Sequence, residues 1–460
     1  MEVKKKMRLP ARATVFYGAG IVLSKLVGVI TTPIFTRAMT GEEYGLYSYY
    51  ISILSITTMI SGVFLTPAVF YSGLDKFPHN KRGFINKSIL LVSLVNFCFC
   101  IILFTFKSFF RIENEFIAII LFQGVIDAII NSELLFSKFS YGYKRVLAIS
   151  LSSSILSAIL SILFVTTMKM GALGRALGLL LSSTAVAIAL ILSKNNRGKK
   201  GVGERNFLIR NATPLIPAVI ARASIGWADK LIIKDRLGVS SLAKYSVAHT
   251  IGTALFALLG ALSSALNPWL VRKLGSKNKG EVFPVIREIS ALASWGGVAV
   301  IALAPEIFAF LAPSEYRDAI YVIAPLALSS APYFLFTAAS VFIGFTEKTK
   351  AITTASIIGA TVNIIANLLL ISHLGYLGGA IAYLVAEAVM LSVAIILVKR
   401  WDKDVARALS PSFEVYLSLL VGVAFTMLYS NSPIRIFLLI IPACEVARHG
   451  FYCLQIAKEK

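Results

Sequence analysis

Apolar stretches of about twenty residues recur along the whole chain, each parted from the next by a short polar segment, and about 20 mostly apolar residues are what a helix needs to cross a bilayer core. They run over residues 14–36, 44–71, 84–106, 116–136, 146–168 and 171–193, then 212–233, 245–271, 289–312, 319–345, 352–371 and 380–398. Two weaker stretches follow, 415–430 and one starting near Ile434 that Pro442 and Glu445 interrupt. The chain therefore reads as an all-α polytopic membrane protein with about fourteen spanning helices.

Composition agrees. Charged residues make up 15% of the chain, against roughly 25% in a soluble domain, and mean hydropathy is +0.79. The deficit is spread along the chain. A net charge of +22 would suggest a nucleic-acid binder in a soluble protein, but Lys and Arg also accumulate in the cytoplasmic loops of membrane proteins. With the N-terminus inside, 32 of the 45 Lys and Arg fall on inner segments, 10 on outer loops and outer helix ends, and 3 within helices. That bias sets the orientation, with both termini cytoplasmic, and accounts for the charge without nucleic acid. Residues 1–12 are basic and lead into an apolar stretch, as in a signal peptide. That stretch is too long, contains Lys25 and lacks a small-residue cleavage site, so an uncleaved first helix is expected. The four cysteines form no C-x-x-C pair and the four histidines have no metal-ligand spacing, so no metal site is expected.

The chain repeats itself. Gly45-Leu46-Tyr47-Ser48 and Lys244-Tyr245-Ser246 begin the second and eighth helices at an offset of 198 residues. Thr66-Pro67 pairs with Asn267-Pro268 at 201, and Gly171-Ala172-Leu173-Gly174-Arg175-Ala176 with Gly375-Tyr376-Leu377-Gly378-Gly379-Ala380 at 204. Two six-helix lobes, 1–193 and 212–400, follow from this, joined by a basic cytoplasmic linker at 194–211 and extended by two helices in 401–460. Each repeat has an even number of helices, so the lobes are related by a pseudo-twofold along the membrane normal, with a central cleft as in transporters.

Charges within spanning helices are costly, about 2.5–3.5 kcal/mol each on insertion scales, and so face a cavity or a partner. Lys25 lies midway along helix 1. In helix 7, Arg222, Gly226, Asp229 and Ile233 share a face, with Lys230 beside Asp229. A cationic site for an anionic substrate is the functional reading of Lys25, Arg222, Lys230 and Asp229, and a buried structural ion pair is the competing one. Helix 4 carries Gln123, Asp127 and Asn131 as a polar stripe with Glu133 off its edge, making Asp127 and Glu133 candidates for ion coupling. Ser356, Asn363 and Asn367 form a similar face on helix 11, where interhelical hydrogen bonding competes with a cavity role. Pro33, Pro67, Pro214, Pro217 and Pro268 are expected to bend helices. Tyr44, Tyr47, Tyr49 and Tyr50 read as an interfacial belt, with sugar stacking as the other reading.

Two local patterns carry a family resemblance: Phe35-Thr36-Arg37 leading to Glu43-Tyr44-Gly45-Leu46-Tyr47, and Ala228-Asp229-Lys230 with Leu237-Gly238 and Tyr245-Ser246. With the helix layout they resemble the polysaccharide transport (O-antigen flippase-like) family of the multidrug/oligosaccharidyl-lipid/polysaccharide (MOP) exporter superfamily, over essentially the whole chain. The resemblance implies that an undecaprenyl-diphosphate-linked oligosaccharide is flipped from the inner to the outer leaflet. Lys25, Arg222 and Lys230 fall where members carry cavity cations, and Asp229 where an acid accompanies them. The expected setting is a prokaryotic plasma or inner membrane, and the expected partners are the lipid-linked oligosaccharide and the bilayer. Polysaccharide polymerase machinery is a further candidate partner for what is expected to be a monomer. No cofactor or catalytic residue is implied; an H+ or Na+ gradient or the membrane potential would supply the driving force. A lipid II flippase and a multidrug exporter share the fold, although cationic drugs would suit an acidic cleft better than this basic one. A glycan polymerase or ligase would need a sizeable outer loop, whereas the longest outer connection, 234–244, has eleven residues.

Overall fold

The computed structural model describes Gly20 and residues 22–140, 142–193, 203–275, 282–346 and 348–458, apart from a few side chains within helices. The start of the expected first helix and residues 194–202 of the expected linker lie outside them. The described residues are helical with no strand, as the apolar periodicity requires. The chain divides into two compact units, Met1–Ala223 and Ser224–Lys460.

The first unit contains residues 22–38 (α1), Gly41–Ser61 (α2), Pro67–Lys76 (α3), Lys81–Thr105 (α4), Asn114–Phe139 (α5), Tyr143–Ile162 (α6), Gly171–Leu192 (α7) and the short Gly203–Ala212 (α8). Thr40 caps α2: its hydroxyl accepts from the Glu43 N–H at 3.2 Å, while its own N–H donates to Glu43 Oε2 at 2.9 Å. Pro67 lacks the N–H a helix interior needs, and it sits at the start of α3, after a 3-10 turn that breaks the second span. Pro33, by contrast, lies within the unbroken helical run 22–38. At the cytoplasmic end expected from the charge bias, α8 packs Phe207 and Leu208 against Phe77 and Phe84.

Ile216–Leu237 (α9) spans the boundary between the units. The second unit continues with Val239–Gly252 (α10), Ala254–Gly275 (α11), Val282–Ala302 (α12), Ala304–Leu311 (α13), Ser330–Phe345 (α14), Lys350–Leu374 (α15) and Tyr376–Lys399 (α16). Lys403–Leu409 (α17), Phe413–Met427 (α18), Ser432–Leu438 (α19) and Ile440–Lys458 (α20) close the chain, with α18 and α20 both packed on α12. The hairpins α6–α7 and α15–α16 occupy the same place in the two repeats. Each enters its second helix through a glycine of positive φ, Gly171 (φ 51°) and Gly375 (φ 60°), a backbone that side-chain-bearing residues rarely adopt.

Among the described residues, eleven helices are long and apolar enough to cross a membrane, against the fourteen expected. The difference has a chemical reason. Helix α9 has 22 residues but carries Arg222, Asp229, Lys230, Lys234, Asp235 and Arg236, and α20 carries Glu445, Arg448 and His449. The first helix is described only from its later part. Spans such as α4 expose Phe97, Ile101 and Phe104 at about half their surface, as lipid-facing helices do.

Candidate functional site

In the first unit, Lys25 sits on the exposed side of α1. The helical stripe on α5 grades from inside to outside: Gln123 is buried, Asp127 half-buried and Asn131 exposed. Gln123 Nε2 donates to Asp127 Oδ1 at 2.8 Å and to Ser183 Oγ of α7 at 3.1 Å, so the amide ties the acid to a neighbouring helix. Glu133 lies apart from this group. It is fully buried and held by two guanidinium groups, Arg82 of α4 and Arg145 of α6, the latter at 3.3 Å.

The capping of α2 has a further effect. The Glu43 carboxylate lies where a side chain on Gly171 would stand, since a Cβ there would come within 2.1 Å of Glu43 Oε1. This brings the start of α2 against the start of α7 and places Arg175, one turn on, among aromatic rings. Its guanidinium carbon is 4.0 Å from the centroid of Phe35, 4.0 Å from Tyr47 and 5.0 Å from Tyr44. Two of the tyrosines expected to form an interfacial belt, Tyr44 and Tyr47, thus pack on a cation.

On α9, which runs across the boundary of the units, the face shared by Arg222, Gly226, Asp229 and Ile233 is not uniform. Arg222 and Lys230 are half-buried and Gly226 is exposed, while Asp229 and Ile233 are fully buried. The Asp229 carboxylate accepts from the Tyr245 hydroxyl of α10 and from the Lys230 backbone N–H at 2.7 Å. A buried carboxylate needs such donors to offset lost hydration. Gly379 of α16 allows the approach: a Cβ there would lie 3.2 Å from Ile233 Cδ1, 3.4 Å from Asp229 Cβ and 3.6 Å from Asn367 Oδ1. Asn363 and Asn367 are both fully buried on α15, and Asn367 Nδ2 donates to Asn363 Oδ1 at 3.1 Å. The structure thus brings Asp229 and Asn367 to the same glycine, whereas the sequence places them on separate helices.

Sequence reasoning missed two residues at these places. Tyr245 was visible as a repeat marker, and its match with Tyr47 was the available signal that it carries a polar partner. Arg175 stands in the sequence only as part of the repeated segment 171–176, and its half-buried place beside Phe35, Tyr44 and Tyr47 is what sets it apart. Among the described residues, no group of three or more His, Cys, Asp or Glu is placed to hold a metal ion.

A model of the polysaccharide biosynthesis protein family matches residues 11–274, more than half of the chain. The chain belongs to that family. A MatE model matches residues 214–369 of this family member, in the second unit and the end of the first, and the chain is a member of the MOP superfamily of transporters and flippases. No curated protein matches it. Among solved structures it is similar to the lipid II flippase MurJ in an inward closed conformation, with 14% identity, TM-score 0.65, and coverage of 92% of this chain and 100% of that one. A multidrug resistance MATE family transporter in an inward-facing conformation gives 14% and 0.65, covering 86% and 95%. A MOP superfamily transporter from Pyrococcus furiosus gives 14% and 0.62, covering 88% and 97%. At such identities these likenesses establish the fold: a multi-pass helical membrane protein.

Proposed function

We propose that the protein flips an undecaprenyl-diphosphate-linked oligosaccharide, an O-antigen or other surface-polysaccharide repeat unit, from the cytoplasmic to the outer leaflet by alternating access. The observation that carries this reading is the presence of Lys25, Arg222 and Lys230 within helices of a polysaccharide biosynthesis family member. A diphosphate cannot cross hydrocarbon alone; cations replace its hydration while the prenyl tail stays in lipid. Asp229, buried and hydrogen-bonded, holds α9 to α10 beside two of these cations. Each elementary charge moved is worth about 2.3 kcal/mol per 100 mV, so an outbound diphosphate runs downhill when the interior is negative. Of the two acids considered for ion coupling, Asp127 is the better supported, because Arg82 and Arg145 already neutralise Glu133. Asn131 extends the polar path on α5, and Asn363 and Asn367 form a buried amide pair on α15. The protein works as a monomer in a prokaryotic plasma membrane with both termini cytoplasmic, next to polysaccharide polymerase machinery.

A lipid II flippase is the second reading, favoured by the full-length likeness to MurJ. Both are tested by flipping of a fluorescent prenyl-diphosphate oligosaccharide in proteoliposomes, with lipid II as the competitor. Transport by the wild type, lost in Lys25→Ala and Arg222→Ala variants that remain folded, supports the assignment. A wild type that ignores both lipids but moves a cationic dye sinks it in favour of a drug exporter.

A further inference from the structure

The Arg175 guanidinium is held in an unusual way for a cation within a spanning helix. Phe35 and Tyr47 each lie 4.0 Å from its carbon and Tyr44 lies 5.0 Å away. Rings at that distance engage a guanidinium through its faces and leave the N–H edge for hydrogen bonding. The Tyr47 hydroxyl meets part of that edge, whereas Nη1 is buried and has no hydrogen-bond partner. A second donor close by is in the same state. The Tyr50 ring is 6.1 Å from that of Tyr47, its hydroxyl has no partner, and the residue is 1% exposed. A buried charged donor left unpaired costs at least about 1–3 kcal/mol, and native proteins rarely leave one without a reason. Nη1 and the Tyr50 hydroxyl both lack an acceptor, the nearest carboxylate acting on Tyr50 being that of Asp127.

We propose that Arg175, with Tyr50 behind it, is a binding site for an oxyanion, either a phosphate of the lipid carrier or the carboxylate of an acidic sugar. The proposal deepens the flippase reading and rests on it for the ligand's role, as an anion station additional to Lys25, Arg222 and Lys230. The aromatic cage fixes the guanidinium plane, so only the ligand needs to be ordered on binding. A Lys could not substitute, because it lacks the planar fork that the rings hold.

The test is footprinting of the wild-type protein in nanodiscs with phenylglyoxal, reading arginine modification by peptide mass spectrometry. Inorganic pyrophosphate should slow modification of Arg175 about tenfold, the loss of one charge-assisted bond on release. Glucose should have no effect, and the exposed Arg317 should react at the same rate throughout. Protection by pyrophosphate alone assigns the site to phosphate; protection by glucuronate extends it to acidic sugars. An Arg175 that never reacts, or that reacts equally with and without both anions, overturns the proposal. Calorimetric titration with farnesyl diphosphate gives a second readout: Arg175→Gln and Arg175→Lys should both weaken binding, Gln the more. Binding unchanged in Arg175→Gln also overturns it. A wild type that fails to flip lipid would instead remove the flippase reading and leave the footprint result standing.

Discussion

The two units use one repeat position for opposite charges. Tyr47 in the first unit lies against the guanidinium of Arg175, whereas Tyr245, its counterpart in the second, donates to the carboxylate of Asp229. The exchange traces to a single site in the repeat. Where the first copy reads Gly171-Ala172-Leu173-Gly174-Arg175, the second reads Gly375-Tyr376-Leu377-Gly378-Gly379. Arg175 fills the space beside α2 with a side chain that stacks on rings. Gly379 leaves that space open, and Asp229 and Ile233 of α9 move into it. A duplicated scaffold thus acquires two chemically distinct halves through one residue: a cation needs aromatic faces, a buried acid needs hydrogen-bond donors, and the tyrosine position shared by the two copies offers either.

The comparison can be broken most forcefully at that residue. Gly379→Leu should drive a side chain into Asp229, Ile233 and Asn367 and lower stability by about 3 kcal/mol. Arg175→Leu should cost only about 1 kcal/mol, the ring contacts alone. Thermal unfolding of both variants in detergent decides, and equal costs would mean that the two positions do the same work. A second contrast sets Asp127 against Glu133 within the first unit. Glu133→Gln should destabilise by about 3 kcal/mol, because it leaves Arg82 and Arg145 without their buried partner, whereas Asp127→Asn should leave the melting temperature within a degree or two yet remove the dependence of lipid flipping on the ion gradient. Flipping that stays gradient-dependent in Asp127→Asn would remove Asp127 from coupling. The tyrosines come next. Tyr245→Phe removes a donor to a buried carboxylate, for about 1.5 kcal/mol, while Tyr47→Phe keeps the stacked ring and should cost about 0.5 kcal/mol; a reversed order would show that the carboxylate has other support.

The smallest effect concerns an exposed acid, as a counterpart to the buried Asp229. Glu306 on α13 bonds Arg435 of α19, which also donates to Ala302 O at 2.8 Å. Burial alone would raise the Glu306 carboxyl, but the bonds from Arg435 outweigh it and hold it below the usual range. A depressed carboxyl stabilises the fold above its unfolded value and loses that contribution as pH falls through the folded one. Glu306→Gln should therefore cost about 0.5 kcal/mol at pH 7, a figure reduced for its 45% exposure. That difference should fade below about pH 4, and a difference that persists at pH 3 would show that packing rather than charge is responsible.

Much of the fold was legible in the chain alone. The length of each apolar stretch determined that it is a helix able to span lipid, the bias of Lys and Arg proposed an orientation, and the drift of offsets from 198 to 204 revealed the duplication. These are properties of single segments or of their order, and so they survive without knowledge of contacts. The count was less legible, because charge on α9 and α20 blurs what hydropathy can recognise. The candidate site was legible as a set of unusual residues and illegible as an arrangement. Helical periodicity places Arg222, Gly226, Asp229 and Ile233 on one face, yet only Asp229 and Ile233 find the gap at Gly379. Asp127 and Glu133 look alike in the sequence, but one is held by an amide and the other by two guanidinium groups. A period of 3.6 residues gives the direction in which a side chain points and says nothing of which neighbouring helix, tens or hundreds of residues away, supplies its partner. That choice belongs to the packing of whole helices, and only the tertiary structure made it.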